Sequence, residues 1–109
     1  MEELTLFPDI VADAPDTEGI KYAGSKLKLL PHILHLAKQV PARSLFDGFS
    51  GTTRVSQAFA KRGYRVFAND CAPWSQVFGA CYLLNCKNPS DYRDLIKHLN
   101  AVTPVDGWL

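Results

Sequence analysis

An α/β domain built on a parallel β-α-β unit is the fold the sequence predicts, and three observations point to it. Ser44 to Phe46 form an apolar run short enough for a buried strand, halted by Gly48 and Gly51. Val55, Ala58 and Phe59 follow at helical spacing, with Thr52 or Thr53 in position to cap them. Gly63 then closes that helix, Tyr64 leads out of it, and Arg65-Val66-Phe67-Ala68-Asn69-Asp70 reads as a second strand ending in an acid. The strands are expected at Leu45 to Phe49 and Val66 to Asn69, neighbouring and parallel, joined by a right-handed crossover through a helix at Val55 to Arg62.

The chain opens with residues 1–19, which hold six acids, Pro8 and Pro15 but no Lys or Arg, and show no sustained period. They are expected to form a mobile acidic leader, with residues 20–109 as the folded unit. Inside the leader, Glu3-Leu4-Thr5-Leu6-Phe7 resembles the short peptide by which bacterial DNA-processing proteins hook onto the replication sliding clamp, with Glu3 where that motif usually has Gln. The simpler reading is that Leu4, Leu6 and Phe7 pack back on the domain. Next, Ile20 to Lys26 supply an aromatic, a Gly-Ser pair and two lysines before a helix, which suits a ligand-facing loop. Leu27, Leu30, Ile33, Leu34 and Ala37 give that helix its apolar face, with Ser25 as cap and Pro31 fixing the regular part near Leu30. His32 and His35 read as partly exposed helix histidines, since no third metal ligand accompanies them. Pro73 suits a first helical position, with Trp74, Val77, Phe78, Cys81 and Leu84 as the buried stripe. Trp74 reads as core first and as a pocket wall beside Asp70 second. Ser90 is the expected cap of a last helix that turns Tyr92, Leu95, Ile96 and Leu99 inward.

The 109 residues suffice for one domain, which at this size buries only somewhat above ~60% of the unfolded chain's surface. The net charge of +1 hides a division: from Ile20 onward twelve bases face five acids, a balance of +7. That excess fits an anionic partner such as DNA, and solvated Lys and Arg explain it equally well. Cys71, Cys81 and Cys86 are odd in number and lack a Cys-x-x-Cys spacing, so they read as reduced, mostly buried thiols rather than a metal site. No apolar run approaches membrane length and Met1-Glu2-Glu3 does not open a signal peptide, which leads us to expect a cytoplasmic protein with no membrane partner.

The candidate ligand follows from Asp47. A carboxylate at a strand tip repels a pyrophosphate, and the glycines are spaced Gly-x-x-Gly rather than in the pattern of dinucleotide folds. A cation suits it better, and S-adenosylmethionine carries a sulfonium and an amino group close together. Asp70 lies about 20 residues beyond the loop, where a carboxylate accepts two ribose hydroxyls.

Lys21-Tyr22-x-Gly24-Ser25-Lys26, Asp47-x-Phe49-x-Gly51 and Asn69-Asp70 resemble, in that order, the opening motifs of the Dam-type adenine-specific DNA methyltransferases. The resemblance spans Ile20 to about Leu84. It implies a Rossmann-like methyltransferase fold, S-adenosylmethionine as cofactor, and transfer of a methyl group to the adenine amino group in DNA. By the same resemblance Tyr22 and Lys26 line the cofactor, with Lys26 near its methionine end; Asp47, Phe49, Gly51 and Thr52 form the cofactor loop; and Asp70 holds the ribose. Thr53 stands where the family commonly has a second glycine. The family's Asp-Pro-Pro-Tyr type catalytic motif is absent from the sequence, Asn88-Pro89-Ser90 being a turn and helix cap, so no catalytic residue is assigned. The expected reading is therefore an incomplete domain, the N-terminal part of a DNA adenine methyltransferase and inactive alone. A non-catalytic module that binds S-adenosylmethionine or assists a partner chain stays open beside it. A different nucleotide-binding enzyme is disfavoured by Asp47 and the glycine spacing.

Overall fold

The computed structural model describes residues 13–21 and 24–107. A short 3-10 turn, Lys26–Leu29, leads into α1 (Leu30–Ala37); then come β1 (Ser44–Asp47), α2 (Arg54–Lys61), β2 (Arg65–Ala68) and α3 (Pro73–Gly79). A π-helical turn, Ala80–Leu84, extends α3, and after a second 3-10 turn at Pro89–Tyr92 the last helix is α4 (Arg93–Ala101). The two strands are parallel, with Ser44 opposite Arg65 and Asp47 opposite Ala68, and α2 makes the crossover. The expected β-α-β unit is thus present, with each strand starting one residue earlier than expected and ending before the turn.

Period-two alternation sorts the strand side chains. Leu45 and Val66 turn toward the helices, where they pack on the buried cluster of Leu30, Leu34, Val55, Ala58 and Phe59. Ala58 and Phe59 are sealed because α2 faces both α1 and the sheet, and the Phe59 ring meets Tyr64 edge-on at 4.9 Å. Burying a ring of that size stabilises by about 1.5–3 kcal/mol. Phe46 and Phe67 are register partners on the opposite sheet face and stay 69% and 53% exposed.

Ser25 accepts from the Leu27 amide as expected, and Gly63 ends α2 at φ 85°. Pro73 is the first residue of α3. Four expectations are corrected. In α3 and the π-helical turn after it the inward residue is Ser75, while Trp74, Val77 and Leu84 are exposed, because among the described residues the glycine loop meets only the Ser75 side and α2 only the turn. Leu95, Ile96 and Leu99 of α4 are likewise exposed, since among the described residues no element covers them. Its preceding turn is capped by Asn88, whose side chain and that of Asp91 exchange bonds with each other's backbone, not by Ser90. All three cysteines are free and exposed rather than buried.

Residues 13 to 20 lie along α2. Gln57 donates to the Glu18 carbonyl and accepts from its amide, while Arg54, Lys61 and Arg62 donate to the carbonyls of Thr17, Asp16 and Asp13. Asp13 also pairs with Arg62 at 3.1 Å. Leu4, Leu6 and Phe7 lie outside the described residues. No described helix is long and apolar enough to cross a membrane.

Candidate functional site

The parallel ladder does not stop where the strands do. The Asn69 amide donates to the Asp47 carbonyl and the Ser50 amide to the Asn69 carbonyl, both at 2.9 Å. Asn69 adds a side-chain bond to the Gly48 carbonyl at 3.3 Å. The glycine loop after β1 is thereby fastened to the end of β2, and both lie at the carboxyl ends of the strands.

Asp70 ties this junction together. One carboxylate oxygen accepts from the Gly51 amide and the other from the Ala72 amide, each at 2.9 Å. These two amides, Ala72's foremost, hold the carboxyl below its ordinary 3.8, with lesser help from the Cys71 amide and the Lys26 ammonium against the opposing effect of burial. Gly51 stands at φ 48°, a conformation glycine adopts freely. Its carbonyl accepts from the Ser75 hydroxyl at 2.6 Å, and the Ser50 and Ser75 hydroxyls are 3.2 Å apart.

Asp47, 7% exposed, sits beneath the loop. The Ser56 hydroxyl on α2 donates to one of its oxygens at 2.7 Å, and the Lys26 ammonium lies 3.9 Å from the other. Lys26 also donates to the Phe49 carbonyl at 2.6 Å, which ties the 3-10 turn before α1 to the glycine loop. The buried carboxylate thus has a hydroxyl and a cation as partners, the arrangement a buried charge requires.

Two cavities open here. Lys26, Phe49, Gly51 and Thr52 line the smaller, about 190 Å³, and Phe49 at its rim is 84% exposed. Asp70, Asn69 and Cys71 line the larger, about 670 Å³, whose floor includes Val66, Ala68 and Gly79. Ser50 borders both, so they meet at the loop. Asp47 lines neither cavity, and Trp74 is not among the residues walling the larger one. Tyr22 lies outside the described residues.

Thr53 corrects a further expectation, since it stands at the N-cap of α2 but makes no cap bond with its side chain. It is fully buried at φ 64°, its amide donates to the Ser50 carbonyl at 2.7 Å, and its hydroxyl accepts from Gln57 at 3.0 Å. A threonine holds a left-handed position that glycine would take without strain, and the Gln57 bond helps offset the cost. Sequence reasoning missed Ser50, Ser56 and Ser75. Ser56 carried a signal, because a polar residue beside Val55 and Phe59 on a buried face needs a partner. Ser75 carried none.

Residues 22–105, well over half of the chain, match the family model described as D12 class N6 adenine-specific DNA methyltransferase. No curated protein and no solved structure matches the chain.

Proposed function

This chain belongs to the D12 class N6 adenine-specific DNA methyltransferases, and we propose that within such an enzyme it forms the part that holds S-adenosylmethionine. The observation that carries this reading is convergence: the Lys26–Leu29 turn, the glycine loop and the end of β2 meet through Lys26, Asp47, Gly51 and Asp70 at the carboxyl ends of two parallel strands. Open α/β sheets bind ligands at that end, and the proposed whole fold is the Rossmann-like methyltransferase sheet. Thr52 and Phe49 border the cofactor's cavity, Lys26 faces its carboxylate end, Asp47 supplies negative charge beneath the cationic end, and Asp70 accepts from the ribose with lone pairs its two amide bonds leave over. Tyr22 joins this set from the family pattern alone.

When bound, S-adenosylmethionine supplies an electrophilic methyl group on a positively charged sulfur. Transfer also needs the adenine swung out of the duplex, its amino group relieved of a proton, and an in-line approach. The sequence contains no Asp-Pro-Pro-Tyr type motif to accept from that amino group. The chain alone accordingly holds one substrate and transfers nothing, and DNA is met by the enzyme as a whole. The exposed Phe46 and Phe67 on the second sheet face are consistent with further polypeptide packing there.

The test is transfer of a labelled methyl group to DNA. Residues 1–109 alone should give none, and mixing them with a polypeptide bearing the Asp-Pro-Pro-Tyr type half should give methylated adenine. Methylation by the chain alone would overturn the division of labour, and failure of the mixture to bind S-adenosylmethionine would overturn the assignment.

A further inference from the structure

We infer that Ser75 is a positioning residue for the cofactor loop: with Asp70 it clamps the Gly51 peptide unit from both sides, so that the first turn of α3 sets the shape of the cavity mouth. The inference rests on the proposed S-adenosylmethionine site. Gly51 donates its amide to Asp70 and accepts on its carbonyl from Ser75, at 2.9 and 2.6 Å. Its amide proton is committed to Asp70 and its carbonyl already accepts from Ser75, so residues 70 to 75 hold it on both polar groups. Ser75 is 2% exposed, and its hydroxyl proton goes to Gly51, so the 3.2 Å contact with Ser50 is donated by Ser50. The hydroxyls form a chain, Ser50 to Ser75 to the Gly51 carbonyl, in which each depends on the next.

Gly51 is the residue that most needs such fixing. Its φ of 48° is one of several conformations that glycine visits freely, so the loop does not choose it unaided. Among the described residues nothing beyond its chain neighbours lies within 4 Å of where a Cβ would stand, so no side-chain packing there selects the conformation. Hydrogen bonds do. The adjoining Thr52 lines the smaller cavity, and the Thr53 amide is engaged by the Ser50 carbonyl. Thr52 is then one of the loop's ligand-facing residues, and the direction of its amide follows from the peptide whose carbonyl Ser75 holds. The commoner role for a buried helix serine, bonding back to its own helix, is not the one seen here.

The experiment compares the chain with Ser75→Ala and Ser75→Cys, the latter filling the same space with only a weak donor. Two readouts are taken: affinity for S-adenosylhomocysteine by calorimetry, and hydrogen exchange of single amides by NMR. Ser75→Ala should weaken binding about tenfold, the size of one hydrogen bond, with Ser75→Cys between it and the parent. The Gly51 amide should exchange faster in both variants while Arg65 and Phe67, whose amides face β1 in the parallel ladder, keep their protection. Unchanged affinity in Ser75→Ala, with the parent binding, would overturn the inference. So would equal loss of protection in loop and strands, which marks a general structural role; if Ser75→Ala does not fold, Ser75→Cys decides. If the parent itself binds nothing, the cofactor reading fails separately, and the clamp stands or falls on whether Gly51 exchange responds to Ser75.

Discussion

Replacing Asp47 with asparagine removes a buried charge while keeping its shape, and the structure sets the size of the effect on each side. The remaining amide oxygen still accepts from Ser56, now as a neutral bond rather than the 2.7 Å charge-assisted one, at a cost of about 1 kcal/mol or less. The Lys26 ammonium, 3.9 Å away and 41% exposed, is screened by water, so losing that attraction costs about 0.2–1 kcal/mol. Stability therefore falls by no more than about 2 kcal/mol from the two together, which a urea titration reads directly. A cationic ligand loses more. Asp47 lines neither cavity and so acts through space, where unit charges about 6–8 Å apart at an effective dielectric of about 20 attract by about 2–3 kcal/mol, equivalent to about thirty- to a hundredfold in affinity. S-adenosylmethionine has a positive sulfur that S-adenosylhomocysteine lacks, so in calorimetry its binding should suffer the larger loss. Equal affinities of Asp47→Asn and the parent for both ligands would refute the electrostatic role and leave Asp47 as a structural partner of Ser56.

Three further outcomes follow from the same geometry. Phe59→Ala removes a ring that is 1% exposed at the centre of the small core, and should cost about 3–5 kcal/mol in chemical denaturation; a loss below about 1 kcal/mol would mean the cluster is not the core. Thr53→Gly relieves a left-handed backbone but forfeits the Gln57 bond, so unfolding stability should change by no more than about 1 kcal/mol, whereas Thr53→Val, with the strain kept and the hydroxyl gone, should destabilise by about 1–3 kcal/mol. Asp70 has a folded-state pKa below 3.8, so its contribution is fully present above 3.8 and is lost as pH falls through that lowered value. Melting curves across this acid limb should show a step that Asp70→Asn abolishes, and an identical acid limb in the variant would contradict it.

What was legible in the sequence and what was not divides along physical lines. Leu30, Leu34, Val55, Ala58 and Phe59 were readable because a buried stripe at helical spacing has one interpretation when helix and sheet both cover it. The turn at Gly48 and Gly51, the stop at Gly63 and the start at Pro73 were readable because these residues restrict the backbone locally. The stripe of Trp74, Val77 and Leu84 misled because an apolar face reports a tendency to be covered and cannot say what covers it. Cys71 and Cys81 misled in the same way. The three motifs fall on segments that the structure brings together, yet the partners that fix them came from elsewhere: Ser56 from the polar break in α2, and Ser75 from a helix whose pattern pointed the other way. Thr53 shows the remaining limit, since the sign of φ at a residue other than glycine has no signature in the chain.

That these converging loops hold S-adenosylmethionine is tested most directly by an NMR titration of residues 1–109 with S-adenosylhomocysteine. Backbone amides of Lys26, Phe49, Gly51, Thr52 and Asp70 should shift together along one saturable isotherm, while those of α4 stay where they are. Saturable shifts confined to α4 or to the Phe46 and Phe67 face, or no shifts at all with the chain folded, would contradict it.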